Sequence, residues 1–391
     1  MSSPTSTHLF CGGGGDVAGF VEAGFAPDTA VNHNEDAVRT IAANFLNTRA
    51  LQADINNLDM RSLPETDALV GSPICKEVSP AGGNARPKKK QPLPFDGAPK
   101  DVPPAEWKRT RATATDLIRA AEVHRYKVVC GENVPEFASW ELFDWWFSGF
   151  TALGYTGQLA CANAAHLSGP NNPAAPQSRD RMLFCFTRND IEAPDLRVRP
   201  DAMCTKCGPV QGIQQWNHGI RRKVGAYGEQ YRYVCPNRAC GHLRVEPATT
   251  SIRDCIDVTL PGTRIGGGKR GNPNNPYVEA TRAKVQIGLD RFGGEPFLVV
   301  MRRNCTVQSL DGSISTITAE GNHHSLIIPG ATVDDSTTRV LAPAEKAGAQ
   351  RFRVPKYQIT GGITAQNLQI GNAVPVNAAH WLAARVLPVL T

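Results

Sequence analysis

A chain of 391 residues, 41% hydrophobic and 20% charged, can bury a substantial core; as a soft prior it holds two domains or one large domain with an insertion. No apolar run approaches the ~20 residues of a membrane-spanning helix, and the polar Met1–His8 stretch lacks a signal-peptide core, so the expected setting is the cytoplasm. There the 11 cysteines stay reduced and serve catalysis, metal binding or packing, while the net charge of +6 suits a polyanionic partner without requiring one.

In chain order, the apolar Leu9-Phe10-Cys11 runs into Gly12–Gly15, and a helix opens near Asp16. Thr29-Ala30-Val31 reads as a second strand, followed by a helix through Ala37, Ile41 and Phe45. Ala68-Leu69-Val70 is a third, ending at Gly71-Ser72-Pro73. Asn84 to Pro104 is rich in proline and lysine and reads as a loop. Ala114, Leu117, Ile118 and Ala121 then share one helical face, before strands at Lys127–Cys130 and Met182–Phe186. Such alternation predicts a doubly wound α/β sheet with helices on both faces. After about Asp195, paired cysteines, glycines and arginines replace it. We therefore expect a first part over 1–195, an inserted domain over 196–330, and a segment over 331–391 that completes the first part and closes on a helix at Val376–Val386.

Glycines between a strand and a helix let backbone approach a ligand, although a tight turn needs them equally. In doubly wound sheets, ligands sit at the carboxyl ends of strands. Asn32 stands there on the second strand, placed to meet ribose hydroxyls, and Asp54-Ile55 offers an acceptor and an apolar wall for an adenine ring. Each is also an ordinary turn residue; together they outline a nucleoside pocket.

Cys75 follows Gly71-Ser72-Pro73-Ile74 and precedes Lys76, a turn where a nearby cation favours thiolate. Cys130, Cys161 and Cys185 lie in apolar stretches and make poorer nucleophiles. Glu132, in Gly131-Glu132-Asn133-Val134-Pro135, ends the next long strand; it points a carboxyl group into the same crevice or caps a following helix. In Gln177-Ser178-Arg179-Asp180-Arg181 the strand alternation puts both arginines on one face, toward a substrate or toward solvent.

Taken in order, Phe10–Gly15, the Pro73-Ile74-Cys75 turn with Ser79 and Gly82, Glu132-Asn133-Val134, Gln177-x-Arg179-x-Arg181 and Gly371-Asn372-Ala373-Val374-Pro375 resemble the cytosine carbon-5 DNA methyltransferase family. A weaker match runs from Arg339 through Leu341, Glu345, Ala347 and Gln350 to Phe352. The resemblance implies a Rossmann-like, class I methyltransferase sheet and S-adenosylmethionine as cofactor. Phe10, Cys11, Gly12, Gly13, Gly15, Asn32, Asp54, Ile55, Asn372 and Val374 would surround it. It also implies a covalent mechanism on a flipped-out cytosine: Cys75 as nucleophile, Glu132 on the ring nitrogen and amine, Arg179 supporting the base, and Arg181 the framework. The partner would be double-stranded DNA, with one copy of the chain upon it, and Lys88, Lys89 and Lys90 could meet phosphates. The sequence departs from the family in having Ile74 and Lys76 where proline and glutamine flank the cysteine. It has Asn32 where an acidic residue is usual, and a longer Asn163–Pro176 segment.

Cys204-x-x-Cys207 and Cys235-x4-Cys240, each with glycine or proline turn chemistry, suit a closed, structural Zn2+ site. Around them Arg221, Arg222, Lys223, Tyr231, Arg232 and Tyr233 interleave basic and aromatic groups in a way that fits contacts to DNA backbone and bases. In the family the variable insertion chooses the DNA sequence, so residues 196–330 are expected to form a target-recognition domain.

Overall fold

A computed structural model describes residues 2–73, 105–301, 306–319 and 322–391, with backbone alone from 105 to 112. The first part alternates as expected: β1 (Thr5–Leu9), α1 (Gly15–Ala23), β2 (Ala26–Asn32), α2 (Glu35–Asn44), β3 (Arg49–Gln52), β4 (Ala68–Gly71), α3 (Ala105–His124), β5 (Val128–Asn133), α4 (Phe143–Ala152) and β6 (Tyr155–Asn163). The short β7 (Gln177–Ser178) leads into β8 (Asp180–Arg188). The central sheet has the order β3-β2-β1-β4-β5-β8-β6. Its β1–β2, β1–β4, β2–β3 and β4–β5 pairs are parallel, and β8 alone runs antiparallel to both neighbours.

The sheet is buried on both sides, which is why its inner strands read as continuous apolar runs. Val128 and Cys130 enter one core, with Phe20 of α1 and Trp381 and Leu382 near the C-terminus. Val129, between them, enters the other, with Leu117, Trp146 and Phe150 of α3 and α4. The direction of winding reverses between β1 and β4, so their carboxyl ends splay around a crevice. The first strand ends at Leu9, two residues before its expected end, because Phe10 turns into the left-handed region (φ 62°).

The insertion has two parts. Hairpins β9 (Asp201–Cys204) with β10 (Gly208–Gln211), and β11 (Ile213–Trp216) with β12 (Tyr231–Val234), come first. They have no core of their own: Leu196, Val198, Tyr233 and Val245 pack into the same cluster as Val70, Val128 and Leu183 of the central sheet. Then β13 (Thr263–Arg264), α5 (Glu279–Phe292), β14 (Phe297–Val300), β15 (Val307–Ser309), β16 (Ile314–Ser315), β17 (His324–Ile328) and β18 (Thr337–Val340) follow. They form a second sheet, β13-β18-β17-β14-β15, while β16 pairs in parallel with β7. The second sheet crosses residue 330, the expected end of the insertion, with β17 before it and β18 after.

The chain ends with α6 (Pro343–Ala349), α7 (Ile363–Asn372) and α8 (Val376–Leu390). The stretch Ile363–Leu390 is, against expectation, long and apolar enough by composition to cross a membrane. It is broken between α7 and α8, and buried residues such as Trp381, Leu382 and Val386 make α8 a core helix.

Candidate active site

The carboxyl ends of β1, β2, β4 and β5 meet the start of β8 and the end of α7 around one cavity of about 420 Å³. On its wall stand Phe10, Cys11, Gly12, Asn32, Asp54, Ile55, Glu132, Arg179, Arg181, Asn372 and Val374, eleven of the residues picked out from the sequence. Gly13 and Gly15 are not among its lining residues. The carbonyl of Gly13 instead accepts a hydrogen bond from the Tyr357 hydroxyl (2.8 Å). Gly15 lies so close to the C-terminal segment that a Cβ there would stand 2.0 Å from the Val374 carbonyl oxygen. These two glycines let the turn dock on the chain's end, and Gly14, left-handed at φ 78°, caps α1.

At the end of β2, the Asn32 side-chain oxygen accepts from the Asn34 backbone N–H (2.9 Å), an Asx turn that leaves its amide NH2 as the donor. Asp54 holds its own turn, accepting from Asn56 N–H (3.3 Å) and Asn57 Nδ2 (2.8 Å), with buried Ile55 beside it.

Glu132 is buried, and its Oε2 lies 3.0 Å from Arg181 Nε. Burial pushes the carboxyl pKa up; the Arg181 and Arg179 guanidiniums pull it down, and burial prevails. Two hydrogen bonds fix the neighbouring turn. The Glu132 N–H donates to Ser72 Oγ (3.3 Å), and Asn133 Nδ2 donates to the Pro73 carbonyl (3.0 Å). Cys75 lies outside the described residues, as do Ile74, Lys76, Ser79, Gly82 and Lys88–Lys90.

The two arginines divide their contacts. Arg181 reaches Glu132, whereas Arg179 ties distant segments together, donating to the carbonyls of Ile317 (2.6 Å) and Gly371 (2.8 Å). Hydrogen bonds from a charged donor contribute roughly 1.5–3 kcal/mol each, so Arg179→Ala should cost on the order of 3–5 kcal/mol. A urea unfolding curve checks this; a loss under ~1 kcal/mol would show that the strap is not needed.

Sequence reasoning gave no site role to Ser72, Asn133, Leu368 and Gln369, which also line the cavity. The last two had a signal. Leu368, Gln369 and Asn372 fall three and four residues apart on α7, hence on one face.

The Sγ atoms of Cys204, Cys207, Cys235 and Cys240 all lie within 4.8 Å of one another. Four thiolates bonded to zinc at ~2.3 Å stand about 3.8 Å apart, and the Cys204–Cys240 sulfurs are 4.0 Å apart. Gly208 (φ 74°) and Gly241 (φ 70°) close the two turns that bring the sulfurs together. The aromatic neighbours do not fit the expected nucleic-acid contacts. Tyr231 and Tyr233 are 1% and 0% exposed, because they fill the core beneath the hairpin. Arg222 is engaged within the protein, ion-paired with Asp144 and lying 4.6 Å over the Phe143 ring.

Comparison with known proteins adds a family. A model described as C-5 cytosine-specific DNA methylase matches residues 5–387. Curated protein sequences yield no match. Among solved structures, S. pombe Dnmt2 methyltransferase superposes with a TM-score of 0.56 at 12% identity, covering 100% of both chains. A protein titled as a DNA modification methyltransferase encoded within a prophage (E. coli) gives 0.53 at 15% identity over 99% of each chain. Spodoptera frugiperda DNMT2 gives 0.53 at 14% identity, also over 99% of each. At such identities the likeness establishes the shared fold.

Proposed function

Because this chain belongs to the C-5 cytosine-specific DNA methylase family, we propose that it transfers a methyl group from S-adenosylmethionine to carbon 5 of a cytosine flipped out of duplex DNA, with Cys75 as the nucleophile. One observation carries the reading: buried Glu132 and its partner Arg181 share a cavity wall with the glycine turn and with Pro73, two residues before Cys75 in the sequence.

The cavity suits the cofactor. Its volume falls within the ~300–1,000 Å³ usual for small-molecule sites, and its wall pairs apolar Phe10, Ile55 and Val374 with polar Asn32, Asp54 and Asn372. When bound, S-adenosylmethionine supplies an electrophilic methyl group. The Cys75 thiolate adds to carbon 6 of the base, and Glu132, whose pKa burial raises, donates a proton to the ring nitrogen. Carbon 5, now electron-rich, would take the methyl group as its bond to the cofactor sulfur breaks, with S-adenosylhomocysteine as the leaving group. A base then removes the carbon 5 proton, the electron pair re-forms the 5,6 double bond, the thiolate leaves, and the ring nitrogen returns its proton to Glu132. Arg181 keeps the Glu132 carboxyl in place through these steps.

The insertion over 196–330 is read as the target-recognition region, and its size favours duplex DNA over RNA as substrate. Incubation with methyl-labelled cofactor and either duplex DNA or structured RNA, followed by nucleoside analysis, tests this. Label in 5-methyldeoxycytidine is expected; label only in 5-methylcytidine from RNA, or none, would overturn it.

The four cysteines are read as a structural zinc site. Metal analysis should find one Zn2+ per chain, and strong chelation should lower the melting temperature, since zinc-binding energy is folding energy here. A metal-free chain with unaltered melting would remove the zinc from the account.

A further inference from the structure

We propose that the loop joining β11 to β12 is a clamp for the DNA phosphate backbone at the mouth of the cavity, carried by Arg221 and Lys223. The inference rests on the duplex-DNA reading above.

Position comes first. The base of this hairpin is fastened at the end of the central sheet where the cavity opens. Gln214 Nε2 donates to the Cys161 carbonyl (2.6 Å) near the end of β6, and the Tyr227 N–H donates to Asp180 Oδ1 (3.0 Å). Asp180 stands between the cavity residues Arg179 and Arg181. The neck is closed by Asn217, whose N–H and Nδ2 donate to the carbonyls of Gln230 (2.9 Å) and Glu229 (2.6 Å).

The loop is also bolted to the catalytic segment. Arg222 donates to the Ala138 carbonyl (3.1 Å), besides its contacts with Asp144 and Phe143. Ala138 belongs to the one-turn helix Pro135–Ser139, which follows directly on Val134 of the cavity wall. Arg222 thus spends its charge on a neighbouring segment of the chain, in a surface ion pair. Arg221 and Lys223 on either side are exposed, and neither has an ion-pair or hydrogen-bond partner among the described residues.

What the loop leaves exposed decides what it can grip. Base reading draws on stacked rings, on amides and on arginine against guanine. The hairpin's rings are turned inward: Tyr231 and Tyr233 are buried, and Trp216 and Tyr227 pack on Tyr231 with ring centroids 4.7 Å and 5.9 Å away. The amides of Gln214 and Asn217 are taken by backbone carbonyls. Arg221 and Lys223 remain on the braced loop, with exposed His218 beside them, and arginine and lysine are the usual donors to phosphate oxygens. Extruding a base needs the strand held on either side of it, and this loop stands beside the opening.

The test is the salt dependence of binding to two duplexes of unrelated sequence, wild type against Arg221→Ala/Lys223→Ala. Each phosphate contact contributes about 0.9 to the slope of log affinity on log salt, so the double variant should lose about 1.8. Over a roughly fourfold rise in salt, the wild type should then lose about tenfold more affinity than the variant, equally on both duplexes. Arg221→Lys/Lys223→Arg should keep the wild-type slope. If the alanine pair melts early, Arg221→Gln and Lys223→Gln singly should each show half the change. An unchanged slope, or a loss confined to one duplex, overturns the inference alone. A wild-type chain with no salt-dependent affinity for duplex DNA overturns both it and the reading beneath it.

Discussion

Cys75→Ser should abolish methyl transfer, by roughly four orders of magnitude or more, while cofactor binding stays at the wild-type level. A serine hydroxyl is almost never ionised near neutral pH, so the attack on carbon 6 has no nucleophile, and without that attack carbon 5 stays inert. A duplex carrying 5-fluorocytosine makes the step visible. Fluorine cannot leave as a proton does, so the wild type should be trapped as a covalent adduct in the presence of S-adenosylmethionine, and the serine variant should not. The other thiols are poor substitutes. Cys11 is on the cavity wall, but burial and the nearby Asp16 carboxylate keep its pKa well above the ordinary value. Burial lifts Cys130 likewise and pushes Cys161 and Cys185 up to about 12. An adduct that persists in the serine variant would mean that one of these thiols, or another group, is the true nucleophile.

The parts of this site that were legible from sequence are short contiguous motifs at strand ends. A doubly wound sheet collects the carboxyl ends of its strands in one crevice, so Gly12, Asn32, Asp54 and Glu132 come together with no long-range information beyond the strand order. What was hidden depends on contacts across the chain. Nothing near Arg179 announces that its guanidinium is satisfied by Ile317 and Gly371, far along the sequence. Nor does the pattern Tyr231-Arg232-Tyr233 distinguish a ring aimed at a base from one aimed into a core. Only the shared cluster with Val128 and Leu183 decides that. Strands β3 and β6 escaped for a related reason. Both lie at sheet edges: Arg49–Gln52 has no buried residue, and residues 156–159 of Tyr155–Asn163 are exposed or half-buried, which blurs the apolar run that marks the inner strands. The boundary expected near residue 330 falls where the chain turns from β17 to β18 within one sheet.

Glu132→Gln should slow methyl transfer by about 100- to 1,000-fold and remove the alkaline limb of its pH profile. Glutamine keeps the shape and can still donate from its amide, but it cannot place a proton on the ring nitrogen as charge develops. The sign of the pH effect follows from the environment of the carboxyl. Burial raises its pKa more than Arg181 and Arg179 lower it, so the protonated, donating form persists to higher pH than in an exposed glutamate. The wild-type kcat/KM should therefore rise with pH as the Cys75 thiolate forms, then fall as pH passes through the raised Glu132 pKa. In the glutamine variant only the rise should remain. Fold stability shares the sign: the native state binds this proton more tightly than the unfolded chain does, so Glu132 makes the fold less stable as pH climbs from the ordinary carboxyl range through the raised value. Measuring kcat/KM against pH for both proteins separates this role from a merely structural one. A structural defect would lower the whole profile and keep its alkaline limb, and that outcome would take the proton-donor role away from Glu132.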